Sequence, residues 1–288
     1  MLSGWAEAGL RGYARIAWDE RGGYRLVRAV SRLRHRDRWQ DRFRTPDGLL
    51  LDLDLATYPD CCMAFGLYEL STARLIKRLV RTGDVVVDGG ANLGYFTLLM
   101  ASRVGDAGSV HAFEPDPVNR ARLVAHLELN GLQDRVVVHP VALSDRSGTA
   151  TLHRFAETDS AHNHGMSSLF DAEEGATQTY EVQTVRMDEV VKTNVRLVKL
   201  DLEGAEPLAV AGMSGQLVGD APPMVLGEYG FGEASRAGHT PAAWMEGLRS
   251  IREDWRFEVV RRGLQAVELR DGSLKGIKRQ VNVLARVD

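Results

Sequence analysis

Residues 85–96, VVVDGGANLGYF, constrain the fold more than any other stretch of this chain. Val85, Val86 and Val87 are β-branched and read as a buried strand. Asp88 ends it, Gly89, Gly90 and Gly94 make a tight turn, and the apolar run from Tyr95 to Met100 opens a helix. A strand, a glycine turn and a helix bring bare backbone to a helix N-terminus, where a ligand can come close. The next apolar strand, in VHAFEPD, ends on Glu114. An acid at that place accepts hydrogen bonds from both hydroxyls of a ribose. Together these features predict a nucleoside cofactor.

The spacing of the turn narrows the choice. A dinucleotide fingerprint uses G-x-G-x-x-G to lay close backbone under two phosphates. Here the spacing is Asp88-x-Gly90-x-x-x-Gly94, without a G-x-G. S-adenosyl-L-methionine has no phosphate but carries an ammonium group, which suits an acid at Asp88, directly or through water. Asn92 offers an amide to the cofactor carboxylate or to neighbouring backbone. The competing reading is a Rossmann-like turn with a purely structural glycine.

From Asp84 onward strands and helices alternate. Strands are expected at 85–88, 109–113, 136–143, 195–201, 223–228, 256–261 and 281–287, and helices at 95–103, 117–130, 206–213 and 241–253. Such alternation predicts an α/β fold, a mostly parallel seven-stranded sheet with helices on both faces. Between 148 and 188 the rhythm breaks: Thr149–Phe155 and Thr179–Val185 alternate like the strands of an inserted hairpin around a polar loop. Residues 5–43 read as helical, with Leu10, Tyr13, Ala14 and Ala17 on one face. Thr45-Pro46-Asp47-Gly48 is a turn, Leu51–Leu55 a short strand, and Glu69–Val80 a helix. The expected organisation is an N-terminal helical cap at 1–60 and a cofactor-binding domain at 61–288.

Composition excludes little else. The net charge of −3 gives no global attraction to nucleic acid or an anionic membrane. No apolar run is long enough for a membrane span, and the first residues do not read as a secretory signal. The two cysteines, Cys61 and Cys62, are adjacent and cannot build a disulfide framework, which fits a reducing cytoplasm. Residues 11–44 are rich in arginine and lack lysine, as an RNA-binding or acidic-partner segment would be, or simply a solvated helical face.

A second constellation is RLVKLDLEGAE at 196–206. Leu197–Leu200 read as a buried strand interrupted by Lys199, and Asp201, Glu203 and Glu206 crowd behind it. In an open parallel sheet, ligands sit at the carboxyl ends of strands where the winding reverses. The strands ending at Asp88 and Asp201 should flank that point. Methyl transfer to a hydroxyl needs a base, or a metal that lowers the hydroxyl pKa. Asp201 is the first candidate for base or metal ligand, with Glu203 and His164 behind it. Paired carboxylates at Asp201 and Glu203 could also hold Mg2+. The other reading is an acid-rich helix N-terminus, which accounts in part for Glu206. Glu228 closes another strand at the same rim, and Glu69 either starts its helix or reaches the cofactor.

DGGANLGYFTLL, AFEPDP, LELNGL, VALSD, GMSSL and VKLDLEGAE stand in the order seen in FkbM-family methyltransferases, which this chain resembles from about Phe65 to Glu228. The resemblance implies a class I S-adenosylmethionine-dependent methyltransferase, usually acting on hydroxyls of sugars or secondary metabolites. It implies that Asp88, Gly90, Asn92 and Gly94 bind the methionine part, that Glu114 holds the ribose, and that Ala142, Leu143 and Ser144 flank the adenine. Tyr95, Phe96 and Pro115 adjoin these motifs and complete the expected cofactor set with Glu69. Gly89 departs from the family, which often has a larger residue there. The expected partner is a small-molecule acceptor, with no membrane, and a homo-oligomer is left open. Methylation of a nitrogen or carboxyl group, or of RNA through the arginine-rich segment, are the alternatives.

Overall fold

The computed structural model describes Gly9 and residues 40–288 apart from 56, 58, 156–166, 171–175, 262, 271 and 272. The expected N-terminal helix, the arginines before residue 40, and His162 and His164 lie outside the described residues.

The first described elements are strands β1 (Gln40–Arg44) and β2 (Leu50–Asp54), followed by helices α1 (Asp60–Phe65) and α2 (Leu70–Leu79). The glycine motif gives β3 (Val85–Gly89) and α3 (Tyr95–Val104), and the next unit gives β4 (Ser109–Phe113), α4 (Pro117–Asn130) and β5 (Val136–His139). A second group comprises β6 (Ala142–Leu143), β7 (Gly148–Phe155), β8 (Ser167–Ser168) and β9 (Ala176–Val185). Then come β10 (Leu197–Leu200), α5 (Glu206–Gly212), β11 (Met224–Tyr229), α6 (Ala243–Ile251), β12 (Arg256–Val260) and β13 (Leu264–Val267). The chain closes with the short β14 (Leu269–Arg270) and β15 (Ser273–Leu274) and with β16 (Val281–Arg286).

The main sheet has the order β13-β12-β16-β11-β10-β3-β4-β5. The five strands from β5 to β11 run parallel, and β16 inserts antiparallel between β11 and β12. All seven expected strands are present, and β13 is an eighth that the sequence reading did not contain. Consecutive residues show why the fold holds: Val86, Leu197, Leu226 and Leu284 enter one hydrophobic core, while Val87, Val198, Val225 and Val283 enter the other. A strand apolar at successive positions must be covered on both faces, and helices do so here.

Three expectations change. Residues 136–143 form two strands, because Pro140 has no N–H for a ladder. β6 beyond it leaves the main sheet and pairs parallel with β9. The insertion is a four-stranded sheet in the order β6-β9-β7-β8, larger than a hairpin. Residues 40–43, expected to be helical, are strand β1, paired across the Thr45–Gly48 turn with β2. Long-range hydrogen bonding overrides the local period there.

The β1–β2 ribbon is tied to α4. Asn130 accepts from the Leu50 N–H at 2.8 Å and donates to the Leu50 carbonyl at 2.7 Å. Buried His126 accepts from the Asp52 N–H at 3.0 Å and, through Nδ1, donates to the Leu93 carbonyl at 2.8 Å. One imidazole thus joins the ribbon to the glycine turn. Cys61 and Cys62 are buried free thiols in α1. No helix among the described residues is long and apolar enough to cross a membrane.

Candidate active site

The carboxyl ends of β3, β4, β10 and β11 share one rim. β12 runs with β11, since each is antiparallel to β16, so its carboxyl end and the amino end of β16 reach the same rim. A cleft of about 780 Å³ runs along it, from Glu114, Ala142 and Leu143 past Gly90 and Asp201 to Arg261 and Arg279.

Backbone geometry shapes the end of the cleft near Glu114. Gly90 has φ +77°, and a Cβ there would lie 1.9 Å from the Asp201 carbonyl oxygen, so only glycine lets these two strand ends approach. Gly94 has φ +99°, and its missing side chain leaves room for Leu123 of α4. Three non-glycine residues among the described residues have left-handed backbone, Glu69 (φ 38°), Asn92 (φ 51°) and Glu203 (φ 52°). All three line the cleft. Such strain collects where function over-determines a conformation.

Glu114 is buried at the tip of β4. One carboxylate oxygen accepts from the Asn92 N–H at 2.6 Å and the other from the Asp116 N–H at 2.9 Å. Each oxygen keeps a lone pair, the acceptor set a ribose diol needs. Burial pushes this carboxyl up to about 7, against the pull of the two backbone donors. Asn92 folds its own amide oxygen onto the Leu93 N–H at 2.7 Å.

The floor of the cleft is a charge cluster around Lys199. Its ammonium lies 3.1 Å from Asp201 Oδ2, 3.7 Å from Asp88 Oδ1 and 4.8 Å above the Phe96 ring centre. Burial opposes this charge, but Asp201, Asp88 and Glu69 together raise its pKa, so it stays an ammonium. Asp88 is fully buried and accepts from the Thr97 hydroxyl at 2.6 Å. Burial raises its pKa despite Lys199. Glu69 accepts from Asn282 at 2.8 Å, and burial together with the Asp201 charge raises its pKa. Glu228, hydrogen-bonded to Gln280, is raised well above the usual range by burial and then by Asp201. Carboxyl groups therefore outnumber cations here, and a cationic ligand would relieve the imbalance.

The inserted sheet clasps the same rim. Ser168 donates to the Glu203 carbonyl at 3.0 Å, and Ser167 and Arg154 each reach Asp116 Oδ2 at 2.6 Å. Asp116 also caps α4 by accepting from the Val118 and Asn119 N–H groups. The Glu203 carboxylate is paired with Arg236, 3.3 Å away.

Of the residues expected to meet the cofactor, Glu69, Gly90, Asn92, Glu114, Pro115, Ala142 and Leu143 line the cleft. Asp88, Gly94, Tyr95, Phe96 and Ser144 stand behind it. Asp88 meets Lys199 and Thr97 rather than open space, Gly94 packs on Leu123, and Tyr95 is buried with its hydroxyl donating to Asp47 at 3.2 Å. Phe96 lies under Lys199, and the Ser144 hydroxyl turns to Asp145 at 3.1 Å. Asp201 and Glu203 both face the cleft. The donor set does not fit Mg2+: Asp201 and Glu203 already face Lys199 and Arg236, and no group of three or more metal-ligating side chains occurs among the described residues. Sequence reasoning missed Lys199, Arg261, Gln265, Arg279, Gln280 and Asn282. A lysine inside a four-residue apolar strand was the available signal for the first, and the others carry no motif.

The profile of the methyltransferase FkbM domain matches residues 88–258, from the acid behind the glycine turn to strand β12. The chain belongs to the FkbM methyltransferase family. The 31-O-demethyl-FK506 methyltransferase FkbM of Streptomyces tacrolimicus is 31% identical over 163 residues, 46% of this chain and 61% of that protein. A tRNA wybutosine-synthesizing protein 2 homolog of Macaca fascicularis is 34% identical over 93 residues, 32% of this chain and 19% of that protein. The chain thus spans less than two thirds of either relative. The crystal structure of methyltransferase FkbM from Methylobacillus flagellatus superposes with a TM-score of 0.46 at 13% identity, covering 77% of this chain and 54% of that one. The sheet order and the glycine turn after β3 give this member of the family a Rossmann-like α/β arrangement.

Proposed function

We propose that this methyltransferase transfers a methyl group to a hydroxyl of a small molecule. The observation that carries the reading is the excess of carboxyl groups, Glu69, Asp201 and Glu228, at the middle of a cleft whose one end holds the ribose-type acid Glu114. The acids favour a cationic sulfonium, and Asp201 can accept the proton of a polar acceptor.

The cofactor fits the β3–β4 half of the cleft. Of the residues lining this half, Glu114 would accept the ribose hydroxyls, Ala142 and Leu143 would wall the base, and Gly90 and Asn92 would offer the methionine part an open backbone turn. When bound, S-adenosylmethionine supplies an electrophilic methyl carbon. Asp201 would take the proton that the acceptor hydroxyl gives up, and the cofactor would leave as its thioether. The remaining work of the chain is alignment and exclusion of water. Lys199 fixes the Asp201 carboxylate from below. Glu203, locked by Arg236, shapes the turn beside it. The catalytic part is read as residues 61–288, with residues 1–60 as a cap packed on it, and the ties of the β1–β2 ribbon to α4 support that packing.

The test is calorimetric titration with S-adenosylhomocysteine, followed by methyl-transfer assays with labelled cofactor on hydroxyl, amine and carboxyl acceptors. Micromolar binding and an ether product are expected. Binding with only methylamine or methyl ester products would overturn the hydroxyl assignment.

A further inference from the structure

The end of the cleft farthest from Glu114 is walled by Arg261, Gln265, Arg279 and Gln280. Arg261 follows β12 and Arg279 precedes β16, and those two chain ends meet at the active rim because the strands are antiparallel neighbours. Among the described residues, neither guanidinium has a hydrogen bond or an ion pair, and the Arg261 Nε is buried without a partner. Other partly buried arginines near the rim and core are ion-paired, Arg154 with Asp116, Arg122 with Asp60, and Arg236 with Glu203.

A buried donor left without an acceptor costs about 1–3 kcal/mol, and a fold keeps one where a ligand completes it. Guanidinium is the group suited to carboxylate and phosphate, because its planar fork matches their oxygens in pairs. The cleft is therefore bipolar. Acids gather under the β10–β11 ends, where a sulfonium would sit, and unpaired cations face the β12–β16 ends.

Resting on the methyltransferase reading above, we propose that the acceptor is an anion, a hydroxylated molecule whose carboxylate or phosphate is held by Arg261 and Arg279. Anchored there, its hydroxyl extends toward Asp201 in the middle of the cleft. Gln265 and Gln280 supply neutral hydrogen bonds along the way. The two arginines determine which acceptor is taken and leave the cofactor half untouched.

The test is titration calorimetry on the full chain saturated with S-adenosylhomocysteine, using probes that share a skeleton and differ in charge. D-glucose, D-glucuronate and D-glucose 6-phosphate form one set, and catechol and 3,4-dihydroxybenzoate another. At least one anionic probe is expected to bind about tenfold or more tighter than its neutral counterpart, as a charge-assisted pair requires. The two sugar anions tell carboxylate from phosphate. Arg261→Gln with Arg279→Gln should abolish that preference while S-adenosylhomocysteine affinity stays unchanged. The proposal is overturned if neutral probes bind as tightly, if no anionic probe binds, or if the preference survives in the double variant. Failure to bind S-adenosylhomocysteine at all would instead sink the underlying reading.

Discussion

The Lys199 ammonium stands 3.1 Å from Asp201 and 3.7 Å from Asp88, so one buried cation joins the acid that faces the cleft to the acid behind it. The strand register makes this possible. Lys199 lies level with Asp88 across the β10–β3 pair, and Asp201 follows two residues later on the same strand. Removing the cation leaves Asp88 buried and uncompensated. Lys199→Met should therefore lower stability by about 3–5 kcal/mol, the cost of breaking one half of a buried pair. Adding Asp88→Asn should recover part of that loss. Urea denaturation of both variants is the check, and equal losses in the single and double variants would count against the coupling.

Glu114 has a carboxyl at about 7 in the fold, against about 4.3 in an unfolded chain. Between those values the folded chain holds a proton that the unfolded chain has released. The free protein's stability from this group is complete below about pH 4.3 and is lost as the pH rises to 7. Buried Glu206, also pushed up to about 7 by burial, acts in the same direction. Ribose hydroxyls donate to the ionised form of Glu114, so S-adenosylhomocysteine affinity should rise up to about tenfold between pH 6 and 8. Calorimetry in buffers of different ionisation heat should show proton release on binding. Glu114→Gln should flatten the affinity profile but leave the stability slope due to Glu206.

Gly90→Ala tests the close approach of β3 and β10. The new methyl would meet the Asp201 carbonyl at 1.9 Å in a backbone conformation that disfavours a side chain. The conformation alone costs about 1–3 kcal/mol, and relief of the clash must push the Asp201 turn away. A lower melting temperature and a loss of S-adenosylhomocysteine affinity of about tenfold or more are expected. A folded variant with native affinity would show that the turn does not shape the cofactor site.

Asp201→Asn separates chemistry from binding. Turnover should fall by about 10²–10⁴-fold if Asp201 takes the acceptor proton. The dissociation constant for S-adenosylhomocysteine should change by less than about threefold. Parallel losses in both quantities would reassign Asp201 to cofactor binding.

Much of this was legible in the chain itself. The runs VVV at 85–87 and LV at 197–198 are apolar at successive positions, which only a strand covered on both faces can use, and the glycines after the first run mark the turn. Helices 95–104 and 117–130 follow from local signals, the second with Asp116 and Pro117 as its start. The strand β1 was not legible, because its partner β2 lies beyond a turn and pairing outweighed the helical period. The apolar run VVVHPVAL at 136–143 has the pattern of a single strand, and the break at Pro140 shows only in the pairing.

At the site the division is similar. The sequence by itself determined the sheet, the glycine turn and the acids Glu114 and Asp201, because each follows from short-range patterning around one strand end. Tertiary structure alone decided what those acids meet. Asp88 turned inward to Lys199 because parallel pairing set the two residues side by side, and Glu203 met Arg236 from the helix at Phe231–Arg236. Arg261 and Arg279, far from any motif, reached the cleft because two antiparallel strands bring their opposite ends to one rim. Charges separated by tens of residues interact only after the chain has closed, so their partners cannot be read from spacing.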